Sequence, residues 1–213
     1  MSEKIYFEPT WELPNPFYKA DGSIMSTKAE WEEKRKAYLE LLSEMYYGKM
    51  PGRPQTLTAS ELSNETICQN TVCHKVVRLC AQGEEAPVFF NVHVYRPVMP
   101  CEEKLIPVVI PAADTLPKEI ISMATGQGFE ICSFEIAEAA PDDKEKIWEG
   151  GCAKAYPGYT WRALAMWAWL QSRVIDWLET QENVDVTKTV VTGHSRMGKA
   201  ALCCGIYDER AAV

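Results

Sequence analysis

Residues 193–199, Gly-His-Ser-Arg-Met-Gly-Lys, hold the side chains of this sequence best arranged for covalent chemistry. A serine hydroxyl is a weak nucleophile until a base takes its proton. It must also stand where a carbonyl can reach it, and a tight strand-to-helix turn lifts it there. Gly193 lies two positions before Ser195 and Gly198 three after, so the pattern is GxSxxG. Met197 stands where the lipase pattern GxSxG has its second glycine. Such a turn crowds its own backbone, which favours neighbours without bulky side chains. A helix beginning at Ser195 would aim free N–H groups at the site, and the N–H of Arg196 is the natural first donor to an oxyanion. The competing reading is an ordinary βα loop with a solvent-exposed serine. The flanks favour the elbow: Val-Val-Thr-Gly (190–193) ends an apolar run, and Ala200-Ala201-Leu202 opens an apolar helix.

The elements that must position this turn follow from hydrophobic period and turn chemistry. Residues 1–25 carry Pro9, Pro14, Pro16 and the turn pair Asp21-Gly22, and read as an extended arm over the surface. Thr27-Lys-Ala-Glu30 is a capping box, so a helix is expected over 27–47 with Gly48 as its stop. Trp31, Ala37, Tyr38, Leu41, Leu42 and Met45 share one face of that helix and are expected to be buried. Residues 66–81 and 87–96 alternate like two strands joined by a turn. Residues 105–110, Leu-Ile-Pro-Val-Val-Ile, and 129–136 read as strands covered on both faces, with a helix near 118–126 between them. Residues 140–158 have no period and read as a long loop, of the kind that often lines a site. Then come a strongly apolar helix over 160–180, a strand over 187–192, and a helix over 195–207. A further strand is expected to begin at 210–213. Early antiparallel strands followed by βαβαβ predict an α/β fold with a mostly parallel sheet.

Two stretches carry a family resemblance. Residues 191–202, Val-Thr-Gly-His-Ser-Arg-Met-Gly-Lys-Ala-Ala-Leu, resemble the GxSRxGK elbow of the glucuronoyl esterases. Residues 161–180, Trp-Arg-Ala-Leu-Ala-Met-Trp-Ala-Trp-Leu-Gln-Ser-Arg-Val-Ile-Asp-Trp-Leu-Glu-Thr, resemble the helix that precedes it in that family. The resemblance implies an α/β-hydrolase three-layer sandwich with a Ser–Glu/Asp–His triad. It implies cleavage, without metal or cofactor, of esters between glucuronic acid on xylan and lignin alcohols. By position it makes Ser195 the nucleophile, Arg196 the oxyanion stabiliser through backbone N–H and guanidinium, and Lys199 a holder of the sugar acid. An acetyl-xylan-type esterase, and a non-catalytic remnant that binds carbohydrate, are alternatives. For the remnant, Trp148, Tyr156, Tyr159 and Trp161 offer rings that could stack on sugars or serve as core and rim. The sequence departs from the family at Pro111-Ala-Ala-Asp114, where a glycine-rich or Asn-containing turn usually gives a second oxyanion donor, and at Arg162, where the family has glycine after tryptophan.

In α/β-hydrolases the acid and the base follow the serine. Of the three histidines, His74 and His93 lie on the early strands as half-buried structural residues, and His194 adjoins Ser195 with its side chain directed away. Asp208 and Glu209 are the acidic residues after Ser195. Loss of the base lowers triad turnover by about 10⁴–10⁶. The 213 residues are therefore expected to be one incomplete α/β-hydrolase domain, ending after the elbow helix and inactive alone. Self-association through an exposed sheet edge is expected of it.

Composition bounds the rest. Apolar residues make up 46% and charged residues 24% of the chain, as in globular proteins. The net charge of −8, with Lys34-Arg35-Lys36 following Glu30, Glu32 and Glu33 on one expected helix as a solvated, ion-paired face, argues against nucleic acid. The eight cysteines, Cys101 among them, form no CxxC pair, so reduced thiols are expected rather than a zinc or disulfide framework. No basic start followed by an apolar run opens the sequence, and no stretch reaches the ~20 apolar residues of a membrane span. The chain as written carries no export address; the resemblance points to secretion if a leader was removed.

Overall fold

The computed structural model describes residues 15–19, 21–98 and 105–212. It divides into two units, Met1–Glu40 and Leu41–Val213. In the first, Tyr18 bridges Ile24 antiparallel and Gly22 takes a φ of 81°. Of the arm expected over 1–25, residues 1–14 and 20 lie outside the described residues. The capping box forms as expected. The Thr27 hydroxyl accepts the N–H of Glu30 at 3.3 Å, and the Glu30 carboxylate accepts the N–H of Thr27 at 3.1 Å. Helix α1 (Lys28–Leu42) follows, then a π-helical turn (Ser43–Tyr47), then Gly48 with a φ of 79°. A Cβ on Gly48 would strike the backbone of Thr160 and Trp161, so glycine is required there. The expected burial of the α1 stripe is corrected: no residue of α1 is buried, and Tyr38, Leu41 and Met45 are exposed. Spacing determines which residues share a helix face; it does not supply the surface that would cover them.

The second unit is built on a six-stranded sheet ordered β1-β2-β3-β5-β4-β6. Strands β1 (Leu57–Ile67), β2 (Val72–Gln82) and β3 (Pro87–Pro97) form an antiparallel meander. Strand β5 (Glu130–Phe134) pairs antiparallel with β3 and parallel with β4 (Ile106–Pro111). Strand β4 then pairs parallel with β6 (Val184–Thr192). On the other side of β6, Ala211 makes a parallel bridge to Thr189, where a further strand was expected to begin.

The strand expected over 66–81 takes in the last two residues of β1, the turn and nearly all of β2, and no strand was expected over 57–65. Strand β1 is exposed at every residue but its two ends, so it lacks the alternation that marks a half-buried strand. The turn after it is made by Cys68, Gln69 and Asn70, all at positive φ and none a glycine. Charged and polar side chains suit an edge strand, because they discourage pairing with another chain.

Helix α2 (Lys118–Gly126) packs its Ile121 on one face of the sheet with Val72, Tyr95 and Ile131. The opposite face carries Val77, Leu79, Val92, Val94, Val108, Ile110, Cys132 and Phe134, and joins α4 (Ala163–Leu178) and α5 (Arg196–Tyr207) in the main core. The result is the expected three-layer α/β arrangement. The expected long loop over 140–158 is partly helical, with a 3-10 turn (Ile147–Glu149) and a short α3 (Gly151–Ala155). Trp161 and Tyr156 are buried in a ring cluster with Tyr159 and Trp169, so their rings serve the core; Trp148 is half exposed. The seven described cysteines are unpaired, and Cys101 lies outside the described residues. Among the described residues no helix is long and apolar enough to cross a membrane.

His74 and His93 form the centre of a ladder that runs across β1, β2 and β3 to the residue after β5. His74 Nδ1 meets Glu65 at 3.1 Å, His74 Nε2 meets His93 Nδ1 at 3.1 Å, and His93 Nε2 meets Glu135 at 3.0 Å. Both side chains are mostly covered, and Tyr95 stacks on His74 at 4.5 Å. They are half-buried, as the alternation suggested.

Candidate active site

Strand β6 ends at Thr192 and α5 begins at Arg196, so three residues make the whole turn. Ser195 sits at its apex with φ 55° and ψ −114°, a backbone conformation sparsely populated by residues with a Cβ. It is held there by close packing of the turn on itself. A Cβ on Gly193 would lie 2.8 Å from the N of Gly198 and closer still to the carbonyl of Met197. A Cβ on Gly198 would lie 3.0 Å from the carbonyl oxygen of Gly193. The two glycines therefore face each other across the turn. This explains the GxSxxG spacing: the second glycine is needed where α5 passes over Gly193, one residue beyond Met197.

Ser195 is exposed, and its hydroxyl has no hydrogen-bond partner among the described residues. The backbone N–H of Arg196 bonds to no carbonyl among the described residues, which leaves it available to an oxyanion. The Arg196 guanidinium is paired with Asp142 at 2.6 Å, so it ties the elbow to the loop that follows β5. Lys199, one turn into α5, is exposed and makes no ion pair among the described residues. His194 is exposed beside Ser195, and no hydrogen bond joins the two side chains.

Beside the elbow opens a cavity of about 760 Å³. Its walls include Gly193, His194 and Met197 from the elbow, Pro111 at the end of β4 with Ala112–Asp114 after it, Leu116 ahead of α2, Ile120 on α2, and Asp142. It lies at the C-terminal ends of β4 and β6, where open α/β sheets place their ligands. The turn that lacks a glycine, Pro111-Ala-Ala-Asp114, has its amides engaged. Ala112 N–H donates to Thr192 O at 2.9 Å, and Ala113 N–H to Pro111 O at 2.9 Å.

Asp114 was not singled out in the sequence. Its Oδ1 accepts the N–H of Ile136 at 3.1 Å, and its carbonyl accepts the Ser133 hydroxyl at 3.5 Å. Burial pushes its carboxyl above the usual range; the Ile136 N–H opposes this and Glu135 adds to it. Nothing in a lone Asp after an apolar strand signals such a place. Thiols do not compete with Ser195 as nucleophile on α5: burial pushes Cys203 up to about 12 and Cys204 to about 11, so both stay protonated at neutral pH.

The comparisons with known proteins bear on this geometry. A family model described as glucuronyl esterase, fungi, matches residues 79–213. The carbohydrate esterase MZ0003 of an unknown prokaryotic organism is 23% identical over 96% of this chain and 58% of its own length. The 4-O-methyl-glucuronoyl methylesterase 1 of Phanerochaete chrysosporium is 29% identical over 94% of this chain and 41% of its own length. Among solved structures, a glucuronoyl esterase from Solibacter usitatus superposes with a TM-score of 0.78 at 22% identity, covering 95% of this chain and 62% of that one. The chain spans about half the length of the curated relatives it matches. The matched residues run from within β2 through the elbow and α5 to residue 213, and by that match this chain belongs to the glucuronyl esterase family.

Proposed function

We propose that this chain supplies the nucleophile-bearing part of a serine esterase that cleaves esters of glucuronic acid, such as those joining xylan to lignin alcohols. The observation that carries the reading is the elbow: an exposed Ser195 at φ 55° beside a cavity, with Gly193 and Gly198 packed face to face. In this reading Ser195 Oγ attacks the ester carbonyl, and the Arg196 N–H receives the oxyanion. Lys199 has the charge and the free ammonium to meet the hydroxyl and ring oxygens of the sugar, and the carboxylate once the ester is cleaved. The Arg196 guanidinium would act on the oxyanion only on leaving Asp142.

No histidine of this sequence reaches the Ser195 hydroxyl, so the 213-residue polypeptide should turn over far below triad rates. Binding is therefore the decisive assay. Amide chemical shifts should be followed while methyl glucuronate is added, with an acetylated xylose as comparator. Shifts at 193–199 and 112–114 with the glucuronate, lost in Lys199→Ala, are expected. An equal response to the acetylated sugar, or none at the elbow, overturns the glucuronoyl reading. Ester cleavage at full triad speed, abolished by Ser195→Ala, would overturn the expected weak turnover.

A further inference from the structure

We propose that Gln171, in the middle of α4, positions the Ser195 elbow and the facing cavity loop by gripping the two strand ends from which they diverge. The side chain is fully buried. Its Nε2 donates to Ile110 O at 3.0 Å and to Thr192 O at 3.4 Å. Ile110 is the penultimate residue of β4, after which the chain enters Pro111–Asp114; Thr192 is the last residue of β6, one before Gly193. A single amide nitrogen thus joins the two backbones at the point where they separate to form the cavity wall and the elbow.

Two features argue that this amide does more than fill the core. Its Oε1 is buried and has no partner among the described residues. A buried acceptor without a donor lowers stability, and such groups in folded proteins call for a reason beyond packing. Its neighbours along α4 include Ala168, Leu170, Val174 and Ile175, all buried, so an apolar side chain would suit the surroundings. The second feature is the strain at Ser195. A positive φ at a residue with a Cβ persists only where the surroundings over-determine it. Gly193 and Gly198 constrain the turn from above; Gln171 constrains its root from below. Thr192 O also accepts the N–H of Ala112, and the β4–β6 ladder runs on to Pro111 and Thr192, so the Gln171 contact reinforces the last pairs before the two chains diverge.

The catalytic consequence rests on the esterase reading; the positioning does not. Hydrogen exchange of single amides separates the two. In Gln171→Met, unbranched and of similar length, the Ala112 and Met197 amides should exchange about tenfold faster than in the parent chain, which is the loss of one hydrogen bond's worth of local protection. The amides within α4 should be unchanged. Leu178→Ala, a buried truncation at the far end of the same helix, should speed exchange broadly without singling out those two amides. If Met at 171 prevents folding, Gln171→Glu serves: it carries one O–H donor when protonated and none when ionised, so the two amides should loosen as pH rises. Rates at Ala112 and Met197 equal to the parent's, or raised only in step with the whole chain, overturn the proposal. Where the parent cleaves methyl glucuronate, Gln171→Met should lower kcat with KM little changed; a parent that neither binds nor cleaves it counts against the esterase reading and leaves the exchange result to stand.

Discussion

Replacing Ser195 by glycine should stabilise the protein while removing its nucleophile. The backbone at 195 is held at φ 55° and ψ −114°. Such a conformation costs a residue with a Cβ about 1–3 kcal/mol. Glycine adopts it freely, and its added freedom in the unfolded chain takes back about 0.4–1 kcal/mol. The net gain is then about 0–2.6 kcal/mol, centred near 1.3 kcal/mol. For a chain of this length each kcal/mol is worth about 2–4 °C in Tm, so Ser195→Gly should melt a few degrees higher. Ser195→Ala is the necessary reference. It keeps the Cβ and the strain, and loses a hydroxyl that has no partner among the described residues, so its stability should stay within about 0.5 kcal/mol of the parent. Calorimetry or urea unfolding of the three proteins under one set of conditions reads the difference directly. If Ser195→Gly is no more stable than Ser195→Ala, the elbow is not strained and the argument for a stored constraint at Ser195 fails.

Two further outcomes follow from the same turn. Gly193→Ala should destabilise by about 3 kcal/mol, because the new methyl meets the backbone of Met197 and Gly198, which cannot rotate away. Gly198→Ala meets only the Gly193 oxygen at 3.0 Å and gains helix propensity in α5, so urea titration should place it within about 1 kcal/mol of the parent. For Asp114, burial holds the carboxyl pKa above its unfolded value, so the stability tied to its neutral form is present at acid pH and lost as pH rises through the folded pKa. Asn cannot ionise and its amide oxygen can still accept the Ile136 N–H. Asp114→Asn should therefore raise stability at pH 7 and make no difference near pH 3; an equal effect at both would mean that desolvation of the carboxylate is not its cause.

The elbow was legible because its chemistry is local. Two glycines, a serine, an apolar strand and an apolar helix within some twenty residues leave few other folds for the stretch, and the structure adds why the second glycine is displaced by one. The buried strands β4 and β5 and helices α2, α4 and α5 were legible for a similar reason: each is an apolar run bounded by turn residues. Strand β1 was not, because an edge strand needs no apolar side to be held by its neighbour. The stripe on α1 misled because a periodic pattern carries no information about a covering surface. Asp114 and Gln171 were invisible for a third reason. Their roles come from backbone groups of segments distant in sequence, Ile136 in one case and Ile110 and Thr192 in the other.

Helix α4 shows why so apolar a helix is more than a filler between sheet and solvent. A buried polar atom must find a partner or lower stability, and α4 directs its own to backbone carbonyls of four separate segments. Trp167 Nε1 donates to Ala140 O at 2.7 Å, in the loop that carries Asp142. Trp169 Nε1 donates to Gly52 O at 3.0 Å, ahead of β1. Gln171 takes the ends of β4 and β6. The Ala140 and Thr192 contacts converge on the elbow, since Asp142 holds Arg196 and Thr192 leads into Gly193. One rigid helix thereby sets both the root of the strained turn and the loop that fixes its first arginine. The two stretches that resemble the glucuronoyl esterases, α4 and the elbow, are thus one mechanical unit: a helix whose polar contacts locate the cavity walls, and the turn whose strain those contacts help to sustain.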